Sequence, residues 1–195
     1  GEGGMAVVYK AYDTHLDCEV AIKVVRMDNL PSNRLEKTLL RFQSEAKRMA
    51  RLNHANIVKV IDYGDYQGTP YLVMPYIPGG TLKERMGKPM TWEEAVKLIT
   101  PIAEALGYAH SKGVIHRDVK PSNVLLTESG TVMLSDFGIA KILDDEDTRE
   151  FTTTGVGIGT PEYMSPEQAL GGEVDARSDI YALGILLYEL VTGRK

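Results

Sequence analysis

The run Val114–Leu126, VIHRDVKPSNVLL, constrains this chain more than any other stretch. Within six residues it carries a carboxylate (Asp118), an ammonium (Lys120) and an amide (Asn123), and apolar runs bound it on both sides. Such a loop places a base, a phosphate clamp and a metal ligand around one reacting centre. Thirteen residues after Asn123 comes Asp136-Phe137-Gly138, preceded by a strand pattern and followed by a long polar loop. Asp136 offers a hard oxygen ligand of the kind Mg²⁺ accepts.

The residues before this loop change character once. Val7-Val8-Tyr9 and Val20–Val25 are short and β-rich, and Ile57–Tyr63 and Pro70–Met74 are two further strand candidates. Between them a helix is expected over about 33–52, because Leu35, Leu39, Phe42, Ala46 and Met49 step by four, three, four and three. Pro75–Gly80, PYIPGG, is a punctuated linker, and the domain boundary is set there, at 77/78. Beyond it Thr91-Trp92-Glu93-Glu94 is a capping box. The helix it opens carries Val96, Ile99, Ala103, Leu106 and His110 on one stripe, and Gly113 ends it. Val124–Thr127 and Val132–Ser135 form a strand pair turned by Glu128-Ser129-Gly130. The last helix, about 178–192, is apolar almost all round and is expected to be buried.

Gly1-Glu2-Gly3-Gly4-Met5-Ala6-Val7-Val8 has the composition of a phosphate-covering loop, since glycines let backbone N–H groups approach phosphate oxygens. Read alone, it is equally a glycine-rich hairpin turn. Lys23 lies inside the apolar strand VAIKVV. That strand by itself favours a lysine on the solvent face; an inward lysine needs an anionic partner, and Glu45 on the following helix is the natural one.

Composition narrows the function classes. Of 195 residues, 43% are hydrophobic and 25% charged, with 27 acidic against 22 basic and a net charge of −5. This argues against a general nucleic-acid binder. Cys18 is the lone cysteine, so no internal disulfide forms and a reducing, cytoplasmic compartment fits. No apolar run approaches the roughly 18 residues of a membrane span. The chain starts without an initiator Met and stops inside an apolar pattern, as a piece of a longer protein would.

These motifs, in this order over the whole length, resemble the eukaryotic-type serine/threonine protein kinase catalytic domain. The resemblance implies an α+β bilobal fold. A β-rich N-lobe with one main helix takes residues 1–77, and a mostly helical C-lobe takes 78–195, with the chain truncated at both ends. It implies ATP with Mg²⁺, or Mn²⁺ as an alternative ion. Gly1, Glu2, Gly3, Gly4 and Ala6 then form the phosphate loop, Ala6 standing where relatives have a third glycine. Val8 and Ala21 sandwich the adenine, while Lys23, paired with Glu45, holds the α- and β-phosphates. Met74 is the gatekeeper, and the Pro75 carbonyl and Ile77 N–H read the adenine edge. Proline at 75 removes only an N–H that is not used. Asp118 is the catalytic base, Lys120 clamps the γ-phosphate, and Asn123 and Asp136 hold the metal. Ser165-Pro166-Glu167 closes the activation segment, and Asp179 braces the catalytic loop.

Lys120 and GTPEYMSPEQ, residues 159–168, point to serine/threonine rather than tyrosine specificity, and the wording is most like bacterial members. The implied partners are protein substrates bearing Ser or Thr, and a second kinase copy for autophosphorylation between molecules. No nucleic acid or membrane contact is expected from this segment, although such parents are often single-pass membrane proteins with a cytoplasmic kinase domain. Thr152 and Thr154 are the expected phosphorylation sites, with Arg117 to grip a loop phosphate; the hydroxyl of Thr160 is expected to bond Asp118 and Lys120. Glu167 is expected to lack its family arginine partner and stand as an unpaired charge, and the chain alone to be poorly stable. Two alternatives stay open. One is a catalytically silent kinase-like scaffold, which would lack Lys23, Asp118 or Asp136. The other is a small-molecule phosphotransferase of related fold, which would lack GTPEYMSPEQ.

Overall fold

β-Branched residues that alternate or run together set the first sheet. In the computed structural model, which describes residues 6–27, 32–137 and 161–194, β1 (Ala6–Asp13), β2 (Cys18–Val25), β3 (Asp62–Tyr66) and β4 (Thr69–Pro75) form it. The order is β1-β2-β4-β3, antiparallel throughout. α1 (Ser32–Ala50) packs on β3 and β4. Of its expected apolar face, Phe42, Ala46 and Met49 are buried.

By its internal packing the chain divides into two units, Gly1–Asn53 with Val58–Tyr76, and His54–Ile57 with Ile77–Lys195. His54–Ile57, read from the sequence as part of the first half, groups with the second unit for a definite reason. Asn56 Nδ2 donates to the Val132 carbonyl at 2.8 Å, the Leu134 N–H donates to the Asn56 carbonyl at 2.8 Å, and Ile57 bridges Leu134 in parallel. With its backbone engaged there, Ile57 does not start a strand. The expected strand over 57–63 begins instead at Asp62, after the Ile61 N–H has met the Val73 carbonyl.

The second unit is mostly helical. α2 (Leu82–Arg85) is a single turn. α3 (Trp92–Ser111) opens on the expected capping box: the Glu94 N–H donates to Thr91 Oγ1 and the Thr91 N–H donates to Glu94. Gly113, at φ 71°, takes the left-handed conformation that ends it. The stripe expected on this helix is displaced by about one residue. Ala95, Ile102, Ala105, Leu106 and Ala109 are buried, while Val96 is 43% exposed. The helix is apolar over more than one face, so spacing alone did not choose which face meets the core.

A 3₁₀ turn (Pro121–Asn123) leads into the antiparallel pair β5 (Val124–Leu126) and β6 (Val132–Leu134). Gly79 lies so close to this pair that an added Cβ would sit 2.1 Å from the Leu126 carbonyl oxygen. A second 3₁₀ turn (Pro161–Tyr163) precedes α4 (Pro166–Ala169) and α5 (Ala176–Thr192). α5 packs on α3 through Ala182, Leu183, Leu186 and Leu190. Burial on all sides, expected from its composition, does not hold. Ile180, Tyr181 and Tyr188 are 43–54% exposed, because the buried residues repeat at helical spacing and leave the opposite apolar face outward. Among the described residues no helix is long and apolar enough to cross a membrane.

Candidate active site

The catalytic loop follows α3 and is held by bonds to its own backbone. The buried Asp179 carboxylate, in the first turn of α5, accepts from the His116 N–H at 2.8 Å and the Arg117 N–H at 2.7 Å. His110 Nε2 donates to the same carboxylate at 2.7 Å. His116 is fully buried, and the Asp118 N–H donates to its Nδ1 at 3.2 Å. Nδ1 is therefore an acceptor, and the ring proton sits on Nε2, which donates to the Ser135 carbonyl at 2.7 Å. The ring also packs on Phe137, centroids 4.5 Å apart. This imidazole thus couples Asp118 to the segment that ends in Asp136.

The three groups foreseen around one centre do meet. Asn123 Nδ2 donates to the Asp118 carbonyl at 2.7 Å and to Asp118 Oδ2 at 2.9 Å, and Lys120 Nζ lies 2.7 Å from the same Oδ2. The Asn123 side chain makes both of these bonds through its nitrogen, which leaves Oδ1 as an acceptor for a cation. The Ser135 N–H and hydroxyl both donate to the Asn123 carbonyl, at 2.9 and 3.0 Å, so Asp136 follows directly from a residue bound to Asn123. One carboxylate and one amide oxygen suit Mg²⁺, which takes few protein ligands and completes its shell with water and phosphate oxygens. Among the described residues no group of three or more His, Cys, Asp or Glu could hold a metal ion.

Backbone strain marks the same place. Among the described residues four that are not glycine have positive φ: Asp17, Gln67, Arg117 and Asp136. Asp17 and Gln67 lie in the turns between β1 and β2 and between β3 and β4. Arg117 and Asp136, each at φ 69°, lie in the catalytic loop and directly after β6. Such residues persist only where surrounding bonds over-determine them, which is common at working sites.

In the first unit, strand register decides which residues share a face. Ala21 is opposite Met74, Lys23 is opposite Val8 and Leu72, and residues two apart point the same way. Val8, Ala21, Lys23 and Met74 therefore lie on one face of the sheet. Pro75 ends β4 opposite Val20, with Ile77 two residues on. Glu45, on α1, is largely buried and has Arg48 Nη1 3.6 Å away. Gly1, Glu2, Gly3, Gly4, Thr152, Thr154 and Thr160 lie outside the described residues.

The expectation of an unpaired Glu167 is corrected. The Ser178 hydroxyl donates to Glu167 Oε1 at 2.5 Å, and that bond above all holds the Glu167 carboxyl below the usual range. Tyr163 donates its hydroxyl to Glu189; burial first, then this bond, pushes its phenol far above the ordinary range. Sequence reasoning gave no role to His116, Ser178 or Gln168. A histidine between apolar Ile115 and the charged loop was the one available signal for the first.

A carboxylate, an ammonium and an amide thus meet on one strained loop, and Ser135, which precedes Asp136, is hydrogen-bonded to it. The chain belongs to the protein kinase domain family, whose sequence profile matches residues 1–195. It is 47% identical to the probable serine/threonine-protein kinase PknB of Lactococcus lactis, over all of this chain and 30% of that protein. It is 43% identical to the serine/threonine-protein kinase PknB of Mycobacterium leprae, over 99% of this chain and 31% of that one. The chain thus spans about 30% of the length of these curated relatives. Among solved structures, the Mycobacterium tuberculosis PknI kinase domain matches with a TM-score of 0.77 and 32% identity, over 99% of this chain and 70% of that one. The α+β architecture, a sheet unit followed by a helical unit, is that of this family.

Proposed function

We propose that this domain transfers the γ-phosphate of ATP to serine and threonine hydroxyls of proteins, its own activation segment included. The observation that carries this reading is the Asp118–Lys120–Asn123 cluster. The His116 ring holds the Asp118 backbone N–H, and Asn123 and Lys120 hold its carboxylate in one orientation for a substrate hydroxyl. In-line phosphoryl transfer asks little covalent work of the protein, so positioning and charge carry the catalysis. Asp118 accepts the hydroxyl proton, and Lys120 supplies positive charge beside it for an arriving phosphate oxygen.

Val8, Ala21, Met74, Pro75 and Ile77 are proposed to hold the adenine, and Lys23, with Glu45 as its partner, the α- and β-phosphates. Gly1, Glu2, Gly3, Gly4 and Ala6 cover the phosphates in the same reading. Asn123 and Asp136 would hold Mg²⁺, which when bound neutralises phosphate charge. Residues 1–77 and 78–195 are proposed as the two lobes. The parent protein is proposed to place this domain in the cytoplasm, and kinase–kinase pairing to serve autophosphorylation. A silent scaffold is disfavoured because Lys23, Asp118 and Asp136 are all present.

The test is a radiolabelled-ATP transfer assay on the full-length protein beside nucleotide titration. Asp118→Asn should abolish transfer and leave ATP affinity largely intact, whereas Lys23→Met should weaken nucleotide binding as well. Wild-type turnover in Asp118→Asn would sink the assignment.

A further inference from the structure

We infer that Gln168 is a positioning residue for catalysis, clamping the peptide that sets Asp118, and that this role is separable from its role in capping α4. The inference rests on the kinase reading above. Gln168 is the third residue of α4, and its two amide ends do different work. Its Oε1 accepts from the Ser165 N–H at 3.1 Å and lies 3.2 Å from the Ser165 hydroxyl, while Ser165 Oγ accepts from the Gln168 N–H at 3.4 Å. That is a reciprocal capping box, and Glu and Gln serve it equally. Its Nε2 instead crosses to the catalytic loop and donates to the Arg117 carbonyl at 2.7 Å.

The Arg117 carbonyl belongs to the peptide whose N–H is that of Asp118. Arg117 sits at φ 69°, a strained conformation for a residue with a Cβ. Two side chains hold that residue from opposite ends: Asp179 takes its N–H at 2.7 Å, and Gln168 gives a proton to its carbonyl. On the far side of the same peptide, the Asp118 N–H is fixed by His116 Nδ1. Capping α4 needs only an oxygen at position 168. Holding the loop needs a nitrogen donor, and glutamine supplies both where glutamate supplies one.

Gln168→Glu separates the two roles, because it keeps the capping oxygen and replaces the donor with a second acceptor facing the Arg117 carbonyl. In the full-length protein, with a threonine peptide as substrate, Gln168→Glu at pH 8 should lower kcat about tenfold, the effect of losing one well-placed hydrogen bond. KM for ATP should stay within about twofold, and the fall in Tm should be smaller than in Gln168→Ala, since the cap persists. Gln168→Ala, which removes both ends, should show the same loss of kcat together with a lowered Tm. Wild-type-like kcat in Gln168→Glu would overturn the inference, as would a loss of kcat that only tracks a fall in Tm across both variants. An inactive wild-type protein would instead remove the kinase reading beneath it.

Discussion

Replacing Asp179 by Asn should be among the most damaging isosteric changes available in this domain. Asp179 is 1% exposed and accepts three hydrogen bonds, from the His116 N–H, the Arg117 N–H and His110 Nε2. Asparagine fills the same volume but has one oxygen. If that oxygen serves His110 and the His116 N–H, the new amide nitrogen faces the Arg117 N–H, donor against donor. One hydrogen bond to a charged acceptor is lost, roughly 1.5–3 kcal/mol, and a buried N–H is left unmade, about 1–3 kcal/mol more. Together these span roughly 2.5–6 kcal/mol, which brackets the about 3–5 kcal/mol for breaking a buried charged network. For a domain of this size that corresponds to a fall in Tm of roughly 6–20 °C. Calorimetry on the full-length protein, following the kinase-domain transition, measures it. The companion is Asp175→Asn at the exposed N-cap of α5, where Asn caps as well as Asp and the transition should not move. Equal Tm values for the two variants would refute the argument that buried acceptor count sets the difference. Transfer should also fall with Asp179→Asn, because His116 and Arg117 lead directly into Asp118.

Two further outcomes are expected. Thr152 and Thr154 should carry phosphate in active full-length protein by mass spectrometry, and Thr152→Ala/Thr154→Ala should phosphorylate a peptide more slowly than wild type; equal rates would reject the switch, in which Arg117 grips a loop phosphate. Glu167 has its folded carboxyl below the ordinary range, so the stability it contributes is present above that range and is lost as pH falls through the folded value. The stability gap between wild type and Ser178→Ala should therefore be full at pH 7 and narrow on acidification; a gap that stays constant to pH 3 would show that the Ser178 hydroxyl does not act through Glu167.

Features legible in the sequence are those decided within a few residues. The Thr91 capping box, the Gly113 stop and the Phe42-Ala46-Met49 face depend on spacings of three and four, and spacing is what sequence displays. The misread elements each turned on a competitor outside the local window. Ile57 has strand composition, but its backbone is taken by Leu134, 77 residues away. The α3 stripe was ambiguous because Ala95 and Val96 are both apolar, and only packing chose Ala95. The outward apolar face of α5 was invisible for the same reason: composition reports how apolar a helix is, not how many sides are covered.

At the site, the groups proposed to do chemistry were legible and the groups that hold them were mostly not. In the proposed roles Asp118, Lys120, Asn123 and Asp136 must be these residue types, because base, cation and hard oxygen ligand are not interchangeable. Their supports need only a donor or an acceptor in the right place. His116 serves Asp118 with a lone pair and Ser135 with a proton, and both partners are backbone atoms that carry no sequence signal. Gln168 reaches a carbonyl 51 residues away. A residue that recognises backbone leaves no partner side chain to be read beside it, so such supports emerge only from geometry. This also sets where function should be most sensitive to silent-looking changes. Exchanging Gln for Glu at 168 or Asp for Asn at 179 alters no volume, yet each reverses a donor or acceptor facing Arg117, a strained residue whose conformation fixes the peptide leading into Asp118.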